Sequence, residues 1–120
     1  MIDHLELTSD NYEAMCAFYA KALAPLGYER VADGPPAGFG TRYAPPFWLR
    51  PGATPKPNVH YAFRCATRAL VKATYDAALA AGGVDHRPPT LLPNVHPHYF
   101  SAMVRDPDGN PIEFACHDPA

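Results

Sequence analysis

The stretch FYAKALAPLGY, residues 18–28, is followed 56 positions later by the similar stretch TYDAALAAGGV, residues 74–84. In this register a tyrosine, two alanines, a leucine and a terminal glycine coincide. The same shift places His4 on His60, and each histidine lies near the start of an alternating segment typical of a strand. A repeat that combines a strand, a helix stripe and a helix end indicates an internal duplication, which decides the architecture of the chain.

Each half predicts one strand, one helix and three further strands, so we expect an α+β fold built from two βαβββ modules. Module one spans 1–50, a proline-rich linker spans 51–58 and module two spans 59–120, all within one domain. The predicted strands are 2–8, 28–33, 38–44 and 46–50 in module one, and 59–65, 84–90, 99–105 and 111–117 in module two.

Local signals mark the ends of the two predicted helices and one turn. Asp10 and Glu13 form a capping-box pattern before the first helix, which Gly27 ends. Thr67 caps the second helix, and one of the glycines of 82–83 ends it. The sequence DPDGN, residues 106–110, predicts a tight hairpin turn between the last two strands.

Composition excludes several classes of function. The chain has 120 residues, 48% hydrophobic residues and a net charge of −2, so we expect neither a nucleic acid nor a membrane as partner. It contains no apolar run long enough to span a bilayer, and its first residues lack the pattern of a signal peptide. Three cysteines without a CxxC motif predict reduced core thiols and a cytoplasmic location.

Alternation along the strands sorts polar from apolar side chains. In 59–65 the histidine and arginine oppose the aromatic residues, and the other central strands divide in the same way. If the sheet curls, the polar faces converge on one cavity. The polar residues of these faces are His4, Glu6, His60, Arg64, Glu113 and His117.

Two imidazoles and one carboxylate on a rigid sheet suit a divalent metal ion such as Zn²⁺, Ni²⁺ or Fe²⁺, with open positions for water or substrate. Read one at a time, His4 and His60 are also compatible with ordinary, partly buried histidines, and Glu113 with a solvated surface residue. The shared register of the repeat and the common face favour the metal-site interpretation.

The segments IDHLELT, FYAKALAPLGY, VHYAFRC and YFSAMVRDPDGNPIEF together resemble the vicinal oxygen chelate superfamily, which includes glyoxalase I, extradiol dioxygenases and bleomycin-resistance proteins. The resemblance spans nearly the whole chain. It implies paired modules that form a U-shaped mixed sheet around a central cavity with a metal ion, and usually a homodimer.

The resemblance also implies a ligand set. Family ligands lie on the first and last strands of each module, which correspond here to His4, His60 and Glu113. The fourth position falls on Trp48, which cannot bind a metal, whereas glyoxalases usually have a carboxylate there. The remaining two histidines and one glutamate match the set of the family's Fe(II) dioxygenases.

Three functions therefore remain open at the level of sequence. The first is a metal-dependent glyoxalase-like lyase or isomerase acting on a small oxygen-chelating substrate, with a glutathione adduct as one option. Its proton-transfer base would be Glu113, Glu6 or His98. The second is an Fe(II) extradiol-type dioxygenase, and the third is a non-catalytic, drug-sequestering binding protein.

A small molecule is the expected ligand in all three cases. The candidate pocket residues are Trp48, Tyr43, Phe100 and Arg64, with the arginines at 42, 50 and 87 as further anchors for carboxylates. The sequence leaves open whether each site is built within one chain or shared between two subunits.

Overall fold

The computed structural model describes residues 2–55 and 59–120, so 56–58 of the predicted linker lie outside the described residues. Both predicted βαβββ modules are confirmed. Module one contains β1 Leu5–Ser9, α1 Tyr12–Ala22, a short 3-10 helix Ala24–Leu26, β2 Glu29–Ala32, β3 Ala37–Gly40 and β4 Phe47–Pro51. Module two contains β5 Tyr61–Arg64, α2 Arg68–Ala80, β6 Val84–Leu91, β7 Phe100–Arg105 and β8 Pro111–Cys116.

Each module forms its own four-stranded mixed sheet. Sheet A has the strand order β1-β4-β3-β2, and sheet B has the equivalent order β5-β8-β7-β6. The first and last strands of each module pair in parallel, and the other pairs are antiparallel. Among the described residues no strand of sheet A is hydrogen-bonded to a strand of sheet B, so the two sheets do not close on each other.

The strand register shows which residues of the two modules are equivalent. Glu6 lies opposite Trp48 in the β1–β4 pair, and Ala62 lies opposite Glu113 in the β5–β8 pair. Glu6 and Ala62 are related by the sequence repeat. Trp48 and Glu113 therefore occupy the same position in their modules.

Both sheets bury one face against the helices. Each helix packs on the sheet of its own module, and α1 also contacts α2. The buried residues of α1 follow the predicted helical stripe, because positions three and four apart share one face. The core includes Phe39, Phe47, Phe114 and the three cysteines, which are buried and unpaired as expected. The opposite, polar faces of the two sheets carry Glu6, Trp48, Arg64 and Glu113.

The predicted capping box at α1 is wrong. The N-cap residue is Asn11, and it makes no side-chain capping bond. Asp10 instead accepts a 2.6 Å hydrogen bond from the hydroxyl of Thr54, and Ser9 Oγ accepts the backbone N–H of Asn11. A long-range partner thus replaces the local one that the sequence pattern indicates.

The other predicted caps are confirmed. The Thr67 side chain accepts the N–H of Leu70 at the start of α2. Gly27, at φ 78°, ends the 3-10 turn that follows α1, and Gly82, at φ 99°, follows α2. Both conformations lie in the left-handed region that glycine adopts without strain. Strand β3 is shorter than the predicted 38–44, because a turn begins after Gly40.

The 106–110 turn also joins the two modules. Asp106 Oδ1 accepts the backbone N–H groups of Asp108 and Asn110 at 3.0 and 2.9 Å. Its Oδ2 accepts the hydroxyl of Tyr19 at 2.6 Å, and this hydroxyl also lies 2.8 Å from that of Tyr61. Burial raises the pKa of Tyr19 well above its ordinary value, so the phenol keeps its proton.

No helix among the described residues has the length and apolar character needed to cross a membrane.

Candidate metal and substrate site

His60 and Glu113 form a close pair on the polar face of sheet B. His60 immediately precedes β5, and Glu113 lies in the middle of β8. The atoms His60 Nε2 and Glu113 Oε1 are 2.9 Å apart. The imidazole is 52% exposed, whereas the carboxylate is only 8% exposed. The pair therefore presents an accessible imidazole beside a carboxylate that the sheet holds in place.

The second oxygen of Glu113 is held by neighbouring donors. The hydroxyl of Tyr99 donates a 2.6 Å hydrogen bond to Oε2. Arg87 Nη2 lies 3.7 Å from the same oxygen and also donates to Ser101 Oγ. Burial by itself would raise the pKa of Glu113, but the hydrogen bonds from Tyr99, Ser101 and His60 outweigh it and hold this pKa below its usual value.

Both ring nitrogens of His60 face groups that can only accept a hydrogen bond. Nε2 lies 2.9 Å from the Glu113 carboxylate, and Nδ1 lies 3.3 Å from the carbonyl oxygen of Pro111. A neutral imidazole has a single N–H, so it can donate to only one of these two acceptors. A proton or a metal cation on the Nε2 side makes this arrangement favourable. A ring nitrogen that donates to a backbone carbonyl is also the usual support of a metal-bound histidine.

Module one carries a groove of about 510 Å³ on the polar face of sheet A. Its lining residues are Asp3, His4, Glu6, Pro36, Tyr43, Ala44, Pro45 and Trp48. His4 Nδ1 lies 2.6 Å from Asp3 Oδ1, and Glu6 makes a 3.3 Å ion pair with Arg50. The groove thus combines an imidazole and carboxylates with two aromatic rings.

His4 is separate from the pair in module two. Within one chain, no group of three or more His, Cys, Asp or Glu side chains among residues 2–55 and 59–120 is arranged to hold a metal ion. Of the three predicted ligands, the structure therefore brings together His60 and Glu113, and His4 lies on the other sheet.

Trp48 and Tyr43, two of the predicted pocket residues, line the groove of module one. The Trp48 indole donates to the Pro45 carbonyl at 2.9 Å, which fixes its ring, and Tyr43 is 85% exposed under the Arg42 guanidinium. Arg64 is on the polar side of β5, opposite Ala115 of β8, and lines a separate cleft of about 310 Å³.

Phe100 lies on the helix-facing side of β7. Its ring packs against the core beneath the cationic groups of Arg68 and Lys72, so it is turned away from the polar face that carries Glu113. His98 is exposed, and its backbone N–H donates to His96 Nδ1 at 3.1 Å.

The sequence reasoning did not single out Ser101 or His96. Ser101 lies in a mainly apolar strand. Met103 pairs with Glu113, and Ser101, two residues from Met103, lies on the same face of the sheet. Strand alternation could therefore have indicated that Ser101 lies on the face of Glu113. His96 Nε2 lies 2.9 Å from His117 Nδ1, and both rings meet Tyr99 edge-on. That contact joins a loop to the end of β8 and carried no local sequence signal.

The fold and the site together define a duplicated α+β protein with a histidine–carboxylate pair on a sheet face. The chain belongs to the Glyoxalase/Bleomycin resistance protein/Dioxygenase superfamily, whose family model matches residues 1–114. No curated protein matches the sequence.

Solved structures share the fold at low sequence identity. A glyoxalase/bleomycin resistance protein from Albidiferax ferrireducens T118 is 23% identical, with a TM-score of 0.82 over 97% of this chain and 98% of the other. A family enzyme from Burkholderia phytofirmans PsJN is 17% identical, with a TM-score of 0.74 over 98% of both chains. A lactoylglutathione lyase from Agrobacterium tumefaciens is 21% identical, with a TM-score of 0.69 over 97% of this chain and 92% of the other. At these identities the similarity establishes the fold alone.

Proposed function

We propose that this protein is a metal-dependent lyase or isomerase of the glyoxalase type, acting on a small substrate with two neighbouring oxygen atoms. The observation that carries the proposal is the 2.9 Å approach of His60 Nε2 to Glu113 Oε1, with Nδ1 3.3 Å from a backbone carbonyl oxygen. This donor pair fits Zn²⁺, Ni²⁺ or Fe²⁺, because imidazole and carboxylate both bind these ions.

The third ligand is proposed to be His4 from a second copy of the chain in a homodimer. Two observations support a shared site. The His60 imidazole is 52% exposed, and the His4 groove lies on a different sheet from the His60–Glu113 pair. If sheet A of one chain faces sheet B of the other, each dimer contains two equivalent sites, as two-fold symmetry requires.

A bound divalent ion would act as a Lewis acid that polarises the two substrate oxygens. The residues of this chain supply the proton transfer. Glu113 is proposed as the base in the role of a labile ligand, because its lowered pKa keeps it ionised at neutral pH and its Oε1 is not engaged by Tyr99. Glu6 is a weaker candidate because Arg50 already pairs with it, and His98 is an exposed loop residue.

Arg64 is proposed as the anchor for a substrate carboxylate, such as those of a glutathione adduct. It is exposed and lies on the same face of β5 as His60. Arg50 and Arg87 are less suited, because they already contact Glu6 and Glu113 respectively.

A second candidate function is an Fe(II) extradiol-type dioxygenase. One observation favours it: the position in module one that is equivalent to Glu113 holds Trp48, so two histidines and one carboxylate make up the complete ligand set. The aromatic rings of Trp48 and Tyr43 in the groove also suit a flat substrate such as a catechol.

Metal analysis of the tag-free protein tests the proposal. We expect about one Zn²⁺, Ni²⁺ or Fe²⁺ per chain, lost in His60→Ala. Turnover of a methylglyoxal–glutathione adduct would identify the lyase, and iron with catechol ring cleavage would identify the oxygenase. A wild-type protein that binds none of these ions would contradict both enzymes and leave the drug-sequestering role.

A subunit-mixing experiment tests the shared site. His4→Ala and His60→Ala chains are each expected to lose tight Zn²⁺ binding as homodimers. When they are co-expressed, a mixed dimer contains one intact site, because the two substitutions fall in the other site. Mixed dimers without tight Zn²⁺ binding, or a monomeric wild-type protein in analytical ultracentrifugation, would contradict the arrangement.

A further inference from the structure

Tyr99 holds one oxygen of Glu113 and leaves the other to His60. The phenol donates to Oε2 at 2.6 Å, while Oε1 lies 2.9 Å from His60 Nε2. A 2.6 Å bond from a hydroxyl to a carboxylate is in the range of short, charge-assisted hydrogen bonds, which fix geometry more firmly than neutral ones. The two oxygens of Glu113 therefore have different partners.

Tyr99 is the donor in this contact, because a carboxylate oxygen can only accept a hydrogen bond from the phenol hydroxyl. Arg87 Nη2 lies 3.7 Å from the same oxygen and donates to Ser101 Oγ. Tyr99 and Arg87 thus both approach Oε2, and His60 approaches Oε1.

The ring of Tyr99 is itself held on two sides. His96 and His117 meet it edge-on, with ring centroids 5.4 and 5.1 Å away and interplanar angles of 81° and 85°. The two imidazoles are joined to each other at 2.9 Å. The backbone N–H of Tyr99 also donates to the His96 carbonyl at 3.1 Å. The phenol thus has a defined position before any ligand arrives.

We propose that Tyr99 is a positioning residue, which orients Glu113 so that Oε1 alone faces His60 and serves as a single-oxygen ligand or base. This role rests on the proposed function, since it concerns the same His60–Glu113 pair. The His96–His117 pair contacts the phenol ring from the side.

The test compares two tyrosines that make the same kind of bond. Tyr75 donates a 2.7 Å hydrogen bond to Asp85 Oδ1, on α2 and β6 and away from the site. Tyr99→Phe and Tyr75→Phe each remove one phenol-to-carboxylate bond and keep the ring. We expect Tyr99→Phe to weaken Zn²⁺ affinity about 10- to 100-fold, as losses of outer-shell partners do, and Tyr75→Phe to leave it within about two-fold. Calorimetric titration of the tag-free proteins, well below their melting temperatures, measures both.

A double-mutant cycle separates positioning from a general structural effect. If Tyr99 acts through the carboxylate, its substitution has little further effect on Zn²⁺ affinity once Glu113→Gln is present. Equal losses from Tyr99→Phe in both backgrounds, or no loss in the wild-type background, would overturn the positioning role. If His60→Ala and Glu113→Gln themselves leave Zn²⁺ affinity unchanged, the proposed metal site fails instead, so the two failures are distinguishable.

Discussion

Modules one and two share a topology and a register but differ in the side chains that their central strands present. Module one has Glu6 opposite Trp48, and module two has Ala62 opposite Glu113. The carboxylate lies on the first strand of module one and on the last strand of module two. The difference teaches that the duplicated fold supplies two equivalent pairs of strand positions, and that single side chains decide what each pair presents on the polar face.

The surroundings of the two carboxylates differ as strongly as their positions. Glu6 is 38% exposed and pairs with an exposed arginine at 3.3 Å. Such surface pairs contribute little to stability because water screens them. Glu113 is buried, and its hydrogen bonds make the ionised form favourable despite that burial. Module two therefore holds a carboxylate with a fixed orientation, and module one holds one whose main neighbour is a solvent-exposed guanidinium.

The largest effect should come from removing the charge of each carboxylate in turn. If Glu113 is a ligand as proposed, Glu113→Gln is expected to weaken Zn²⁺ binding by at least about 100-fold, because a direct ligand contributes more than an outer-shell partner. Glu6→Gln, the matched change in module one, should alter it by less than about three-fold, as expected for a screened surface charge. Competition with a chromophoric chelator measures both affinities, and similar losses in the two variants would refute the asymmetry.

A carboxylate placed at the equivalent position of module one should make the modules more alike. Trp48→Glu is expected to tighten Zn²⁺ binding about 10-fold, or about 1.4 kcal/mol, by adding a ligand beside His4. Trp48→Gln serves as the control, because a glutamine side chain has nearly the same shape as glutamate but carries no charge. Unchanged affinity in Trp48→Glu would show that this position does not face the metal.

The N-termini of the two helices also differ between the modules, because α2 has a side-chain cap and α1 has none. The expected effect on stability is smaller than the effects on Zn²⁺ binding. Thr67→Ala removes the side-chain cap of α2 and should lower the free energy of unfolding by about 1 kcal/mol. Asn11→Ala at α1 should cost only a few tenths of that, because Asn11 makes no capping bond. Urea denaturation of both variants measures the difference, and equal losses would contradict it.

The smallest effect concerns the acid response of module two. Partial burial, followed by the neighbouring imidazoles of His117 and His98, lowers the pKa of His96. A histidine in the unfolded chain has a pKa of about 6.5, so below that pH the unfolded chain binds more protons at this residue than the folded chain does. This contribution to stability is therefore constant above about pH 6.5 and becomes unfavourable as the pH falls through that value. NMR titration should show a higher pKa for His96 in His117→Ala; an unchanged value would exclude the neighbour effect.

The fold was predictable because its signals are local or periodic. The repeat, the helix stripes and the glycines at 27 and 82 depend on side chains close in sequence, and the structure confirms them. The capping box failed because the hydroxyl of Thr54, 44 positions away, competes for Asp10. The end of β3 was misplaced because strand propensity does not register the turn after Gly40.

By itself, the sequence determined the two modules, their strand faces and the residue types that lie on each polar face, because alternation and helical periodicity are properties of neighbouring residues. Only the tertiary structure decided which of those residues meet. It paired His60 with Glu113, set Tyr99 on the second oxygen and left His4 on the other sheet. These contacts depend on how separate strands and loops come together in space, and no local pattern in the chain encodes that arrangement.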